Sequence, residues 1–69
     1  MNRKVVNSSM IGSIGYDPAG RVLEVEFNDG AIYQYYGVGE GLYTDLLNAP
    51  HKENFFDERI KNAFQFVKV

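Results

Sequence analysis

The sequence predicts a small α+β domain, a three-stranded antiparallel β-meander packed against two helices and finished by a short C-terminal strand. Three observations predict it. "RVLEVEF" (21–27) alternates apolar and polar residues, the period of a strand with one buried face. "NDG" (28–30) separates that run from a second alternating one, "AIYQYY" (31–36), as a tight hairpin connection does. Downstream, "GEGLYTDLLNA" and "HKENFFDERIKN" repeat apolar residues at the i,i+4 spacing of amphipathic helices.

Taken in order, residues 1–5 fall outside these elements and are expected to be flexible. "SSMIGSIGY" (8–16) reads as the first strand, rich in small residues. "DPAG" (17–20) follows as a turn, with Pro18 presetting φ, Asp17 able to bond its own backbone, and Gly20 suited to a left-handed conformation. Treating it as a four-residue loop pairs Ile14 with Leu23 and Met10 with Phe27. Ile11 then points away from the apolar face, so a bulge is expected near Gly12. For the second hairpin, a three-residue loop with Gly30 left-handed sets Phe27 opposite Ala31, Val25 opposite Tyr33 and Leu23 opposite Tyr35. That register gathers the apolar residues on one face and leaves Glu24 and Glu26 facing water with Ile32, Gln34 and Tyr36. A slip of one residue would exchange the faces.

The first helix has Gly39 as its N-cap and Glu40 near the positive end of its dipole. Leu42 with Leu46 and Tyr43 with Leu47 form its i,i+4 pairs, and Val38 with Tyr43 has the spacing of a hydrophobic staple. Pro50 separates it from the second helix, in which Phe56 and Ile60 are in register and Asn62 is a stop. "AFQFVKV" (63–69) continues a helical stripe and also alternates like a strand; the strand is favoured. Leu23, Val25, Phe27, Ile14, Leu46 and Ile60 are the predicted core.

All 69 residues fit one domain. A chain of this size buries only about 60% of its unfolded surface, so stability rests on packing. With no cysteine, neither a disulfide framework nor a cysteine-based zinc site can support it. The apolar runs are far shorter than the ~20 residues that span a bilayer, and no stretch resembles a signal peptide. A cytoplasmic protein without a membrane partner, monomeric or weakly dimeric, is expected. The net charge is −2. Acidic residues dominate the middle of the chain, where Arg21 stands against Asp17, Glu24, Glu26, Asp29, Glu40 and Asp45. Cations collect at the ends, as Arg3 and Lys4 and as Lys52, Arg59, Lys61 and Lys68.

The ordered set "SSMIGSIGYD", "LEVEF", "YQYYGV", "LYTDLLNAP" and "FFDERIKNAF" resembles the KTSC domain family, over about Val6 to Phe66. The family is named for a copy at the C-terminus of some lysyl-tRNA synthetases, and it also occurs as small free-standing bacterial and phage proteins. Its Tyr-x-Tyr element falls on Tyr33 and Tyr35, its Ile-Gly-Tyr-Asp on Ile14 to Asp17, and its Leu-Leu-x-Ala on Leu46 to Ala49. His51-Lys52-Glu53 departs from the Ser-x-Gly-like stretch usual before the second helix. The resemblance implies a non-enzymatic accessory module without a cofactor, with RNA (tRNA) as its partner. The alternative is a protein-interaction module using a sheet edge or the Tyr36 face.

Tyr33 and Tyr35 lie two apart on a central strand, and base–aromatic stacking is worth about 1–3 kcal/mol per base. The preferred register puts both on the apolar face, so they read as core rings whose hydroxyls reach the edge. Tyr36, on the other face, is the expected exposed ring and the tyrosine expected to contact RNA. Lys52, Arg59, Lys61 and Lys68 are the candidate phosphate contacts, extended by Arg3 or Lys4 if the termini meet. Interleaved Glu53, Asp57 and Glu58 equally suit a solvated helix face. His51 reads as a surface or capping residue, with Ser8 and Ser9 remote in sequence. "GVGEG" lacks the Lys-Ser/Thr of a phosphate loop, and its Glu40 would repel phosphate.

Overall fold

A computed structural model describes residues 1–69. It contains β1 (Arg3–Val5), β2 (Ile11–Asp17), β3 (Val22–Phe27), β4 (Ile32–Tyr36), α1 (Glu40–Asn48), α2 (Lys52–Arg59) and β5 (Phe66–Lys68). The strands form one antiparallel sheet in the order β1-β2-β3-β4-β5. Both helices lie on one face, where Leu46, Phe56 and Ile60 close over Ile11, Ile14, Leu23, Val25 and Tyr35. Neither helix is long and apolar enough to cross a membrane.

The β3–β4 hairpin has the predicted register, with Val25 opposite Tyr33 and Leu23 opposite Tyr35. Gly30 has φ 92°, and the Phe27 N–H donates to the Ala31 carbonyl at 2.8 Å to close the loop. The expected bulge is also present, between Ile11 and Ser13. It turns both Ile11 and Ile14 inward, although their spacing of three is wrong for a regular strand.

The first hairpin corrects the sequence reading. Asp17 pairs with Val22, so the loop is Pro18 to Arg21, and Ile14 faces Val25 rather than Leu23. Likewise Ile11, not Met10, faces Phe27. Arg21 rather than Gly20 takes the left-handed conformation, at φ 55°. Asp17 Oδ1 accepts the Ala19 N–H at 3.1 Å, and the Asp17 carboxylate curls so close to Gly20 that a Cβ there would lie 3.0 Å from Oδ2. Gly20 therefore provides space, and the pairing moves by two residues without exchanging the faces.

The sheet has two more edge strands than the three-stranded meander, one of them in the segment expected to be flexible. Arg3 pairs with Gly15, where a Cβ would come within 2.9 Å of the Asn2 carbonyl, so only glycine admits this approach. Across the outer face Arg3 reaches Glu24 at 2.9 Å, which anchors the strand a second time. The final strand forms as favoured, with Phe66 opposite Tyr35 and Lys68 opposite Tyr33. α2 ends at Arg59, ahead of the Asn62 stop. Ile60 is wholly buried, and both its N–H and that of Lys61 donate to the Phe56 carbonyl, which tightens the chain toward β5.

Of the residues read as core, Phe27 and Tyr33 are only partly buried, Phe27 edge-on to Phe56 at 5.4 Å between ring centres. Glu24 and Glu26 are not freely hydrated either. Gln34 donates to Glu24 at 2.9 Å and Ser13 to Glu26 at 2.8 Å, so the outer face carries a hydrogen-bonded row instead of bare carboxylates.

Candidate functional site

A groove of about 660 Å³ opens between the end of α2 and the β4–β5 edge. Its aromatic lining is Phe27, Tyr33, Tyr35, Phe56 and Phe66. Strand periodicity assembles it, because directly opposed residues on neighbouring strands share a face. Tyr33 stands 6.4 Å from Tyr35 and 5.7 Å from Phe66 between ring centres. Phe66 remains 51% exposed, whereas Tyr35 is only 3% exposed and wedged edge-on against Phe56. The rings thus grade from a buried floor at Tyr35 to an open wall at Phe66.

Polar groups rim this apolar surface. Lys61 and Lys68 bring ammonium groups, Asp29 and Asp57 bring carboxylates, and Asn28 and Asn62 bring amides. Asp29 Oδ1 already accepts the Ala31 N–H at 3.0 Å. The ion pairs of the chain, Arg3–Glu24 and His51–Glu53, use none of the four charged rim residues.

The tyrosine hydroxyls divide in the same way. Tyr16 donates to the Val38 carbonyl at 2.6 Å, and Tyr36 to Gln34 Oε1 at 3.0 Å. Tyr33 and Tyr35 have no such partner, and no polar side-chain atom of the chain is both fully buried and unpartnered. The sliver of Tyr35 left accessible therefore includes its hydroxyl, and the residue lines the groove. Burial, reinforced by the neighbouring Tyr33, pushes the Tyr35 hydroxyl up to about 12, so it stays a neutral donor at any physiological pH.

Among the residues predicted as contacts, Lys61 and Lys68 meet at this groove. Arg59 instead lies over the Phe55 ring at 5.4 Å, and Lys52 donates to the Ala49 carbonyl at 2.9 Å. Tyr36 sits on the outer face, 39% exposed, and Arg3 is held by Glu24. Phe66 is the groove residue that sequence reasoning missed. Its signal was present, since in a strand over 63–69 Phe66 and Lys68 share a face, but only pairing with β4 places that face beside Tyr33.

The fold also gathers Ser8, Glu53 and His51. Ser8 donates to Glu53 Oε2 at 2.8 Å, and Glu53 Oε1 lies 3.8 Å from His51 Nδ1. The order is serine, carboxylate, histidine, so the imidazole does not contact the hydroxyl it would have to activate. Its own backbone N–H, and next the Ser8 hydroxyl, hold the Glu53 carboxyl below its ordinary value, the opposite of what a general base near neutrality needs. Ser8 Oγ also accepts the N–H groups of Met10 and Ile11, both at 3.3 Å, as a loop brace does.

Comparison with known proteins places this arrangement. The profile of the KTSC domain matches residues 7–64. The chain belongs to the KTSC domain family. A KTSC domain protein of Yersinia pestis, known from its crystal structure, superposes with a TM-score of 0.94 at 45% identity, over 99% of this chain and 96% of that one. A protein of Tsukamurella paurometabola is 40% identical over 64 residues, 93% of this chain and 96% of the relative. A lysine–tRNA ligase of Nostoc punctiforme is 36% identical over 61 residues, 88% of this chain. The stretch matched is 11% of that ligase, so the KTSC domain there is a small part of a longer protein.

Proposed function

We propose that this KTSC domain is a non-enzymatic binding module that holds a short single-stranded RNA segment in the aromatic groove. The observation that carries this reading is the meeting of Tyr33 and half-exposed Phe66 with Lys61 and Lys68 around one groove. Unpaired bases stack on aromatic side chains, and flanking ammonium groups neutralise phosphates. The matched stretch of a lysine–tRNA ligase supports an RNA setting. Relative to the sequence expectation, the stacking surface moves from Tyr36 to Tyr33 and Phe66, and the phosphate contacts narrow to Lys61 and Lys68.

The affinity is modest, because Asp29 and Asp57 offset the two lysines in the same rim. Two phosphate contacts give a log–log salt slope of about −1.4 on a single strand. Titration of the 15N-labelled domain with single-stranded RNA hexamers tests the reading. Amide shifts should cluster on β4, β5 and the end of α2, and Phe66→Ala should abolish them in a folded protein. RNA-induced shifts confined to the outer face around Tyr36 would reject the groove.

A protein-interaction reading keeps one supporting observation. Tyr36 N–H donates to the Gln65 carbonyl and Val69 N–H to that of Ile32, so by alternation Phe66 and Lys68 turn their backbone N–H and C=O groups to the open edge of β5. An added strand could pair there. Its affinity would depend much less on salt, which separates the two readings.

A further inference from the structure

Resting on the RNA reading, we infer that the groove is selective for guanine. Three features lead there. First, the rim is charge-balanced, since Lys61 and Lys68 share it with Asp29 and Asp57. Phosphate attraction alone has no use for carboxylates and is weakened by them. Asp29 braces its own loop through the Ala31 N–H, which leaves Asp57 as the rim carboxylate open to accept hydrogen bonds from a ligand, an ionised carboxylate being an acceptor only.

Second, Tyr35 lines the groove at only 3% exposure, and its hydroxyl has no partner in the chain. A hydroxyl so placed in an apolar floor costs free energy unless a ligand or solvent bonds it. The Tyr35 ring lies 5.4 Å from that of half-exposed Phe66 between centres, so a base stacked on Phe66 is a neighbour of Tyr35. Third, Asp57 is an exposed carboxylate outside both ion pairs of the chain, one turn before Lys61. A carboxylate acceptor and an ammonium donor thus share one rim, with a neutral hydroxyl at the floor.

The four bases present different edges to such a set. Guanine offers two adjacent donors, N1–H and N2–H, beside the acceptors O6 and N7. A carboxylate can take both donors at once, and an ammonium or hydroxyl can donate to O6. Uracil flanks its N3–H with two carbonyl oxygens, which a carboxylate repels. Adenine and cytosine each offer one amino group next to an acceptor ring nitrogen, so the second carboxylate oxygen faces a lone pair. We assign the donor edge of guanine to Asp57, its O6 to the Tyr35 hydroxyl, and the adjoining phosphates to Lys61 and Lys68.

The test uses the whole 69-residue chain and four RNA hexamers, U-rich and differing only in a central G, A, C or U. Affinities come from NMR titration, which also reports location. The G hexamer should bind about tenfold more tightly or better, in line with one bidentate base contact. Asp57→Asn, an exposed substitution, should bring the four hexamers within about threefold of one another by weakening G alone. Tyr35→Phe should weaken the G hexamer severalfold while preserving the amide spectrum. Equal binding of all four hexamers in the groove overturns guanine selectivity and leaves the RNA reading standing. Preference for G that survives Asp57→Asn overturns the assignment of the edge. Binding of none of the four overturns both.

Discussion

Truncating Tyr35 to alanine and trimming it to phenylalanine should have very different consequences for stability. The ring is packed between Phe56, Tyr33 and Phe66, so Tyr35→Ala should cost about 3–5 kcal/mol, the range for large buried rings. A domain of this size has little more than that to lose. The hydroxyl has no partner in the chain, so Tyr35→Phe should change stability by less than about 1 kcal/mol. Urea denaturation of the two variants measures both effects. A large loss in Tyr35→Phe would reveal a hydrogen bond that fixes the fold and would remove the hydroxyl from any ligand-facing role. Phe66→Ala completes the comparison. With half its ring in solvent it should destabilise by about 1–2 kcal/mol, well below Tyr35→Ala. Alternation alone put Tyr33 and Tyr35 on the inner face, but of the two only Tyr35 is a core ring and Tyr33 is partly buried. That only one ring is sealed depends on Phe66 and Phe56 arriving from distant segments, which no local spacing encodes.

At the scale of elements, the β3–β4 hairpin and both helices were readable because each has a single arrangement that buries its apolar residues. Gly30 and the grouping of Val25, Phe27, Tyr33 and Tyr35 agree on one register. The β2–β3 hairpin was less legible, since a shift by two keeps every face and the hydrophobic pattern cannot distinguish the choices. A left-handed arginine decides it, and arginine is a residue that propensity would not select for that conformation. β1 was hidden for another reason. Its three residues have no strong pattern, and its docking relies on the bare backbone of Gly15 and the distant partner Glu24. Gly15→Ala should therefore release this strand. A Cβ there meets Arg3 Cγ at 2.8 Å and the Asn2 carbonyl at 2.9 Å, and the backbone atom cannot swing aside. Hydrogen exchange at Lys4 and Val6 should accelerate in the variant, while the amides of β3 and β4 stay protected. Unaltered protection at those two positions would show that the edge accommodates the methyl group.

For the molecule as a whole, stability should fall at both ends of the pH scale, and each limb has a variant that isolates it. On the alkaline side, folding holds the Tyr35 proton up to about 12 against an ordinary value of 10.0. A raised value in the folded state means that its contribution is fully present below pH 10 and is lost as pH rises toward 12. Burial of the hydroxyl is the main cause, so the loss reflects the cost of desolvating a phenolate. On the acid side the sign reverses. Glu53 is held below its ordinary 4.5, chiefly by its own backbone N–H and then by Ser8, so its contribution is present above that value. It is lost as pH falls through the lowered folded value. Ser8 Oγ also braces the turn into β2, which makes this bond a link between the start of the sheet and α2. Urea midpoints measured across the pH range, for the wild type beside Glu53→Gln and Tyr35→Phe, separate the two limbs. The difference between the wild type and Glu53→Gln should shrink at acid pH and stay constant through alkaline pH. The difference between the wild type and Tyr35→Phe should open only above pH 10, with the phenylalanine variant the more stable there. A Tyr35→Phe protein that loses stability in that alkaline range as steeply as the wild type would show that Tyr35 ionises as freely folded as unfolded. Its hydroxyl would then be open to bulk water, and the groove would have no buried floor.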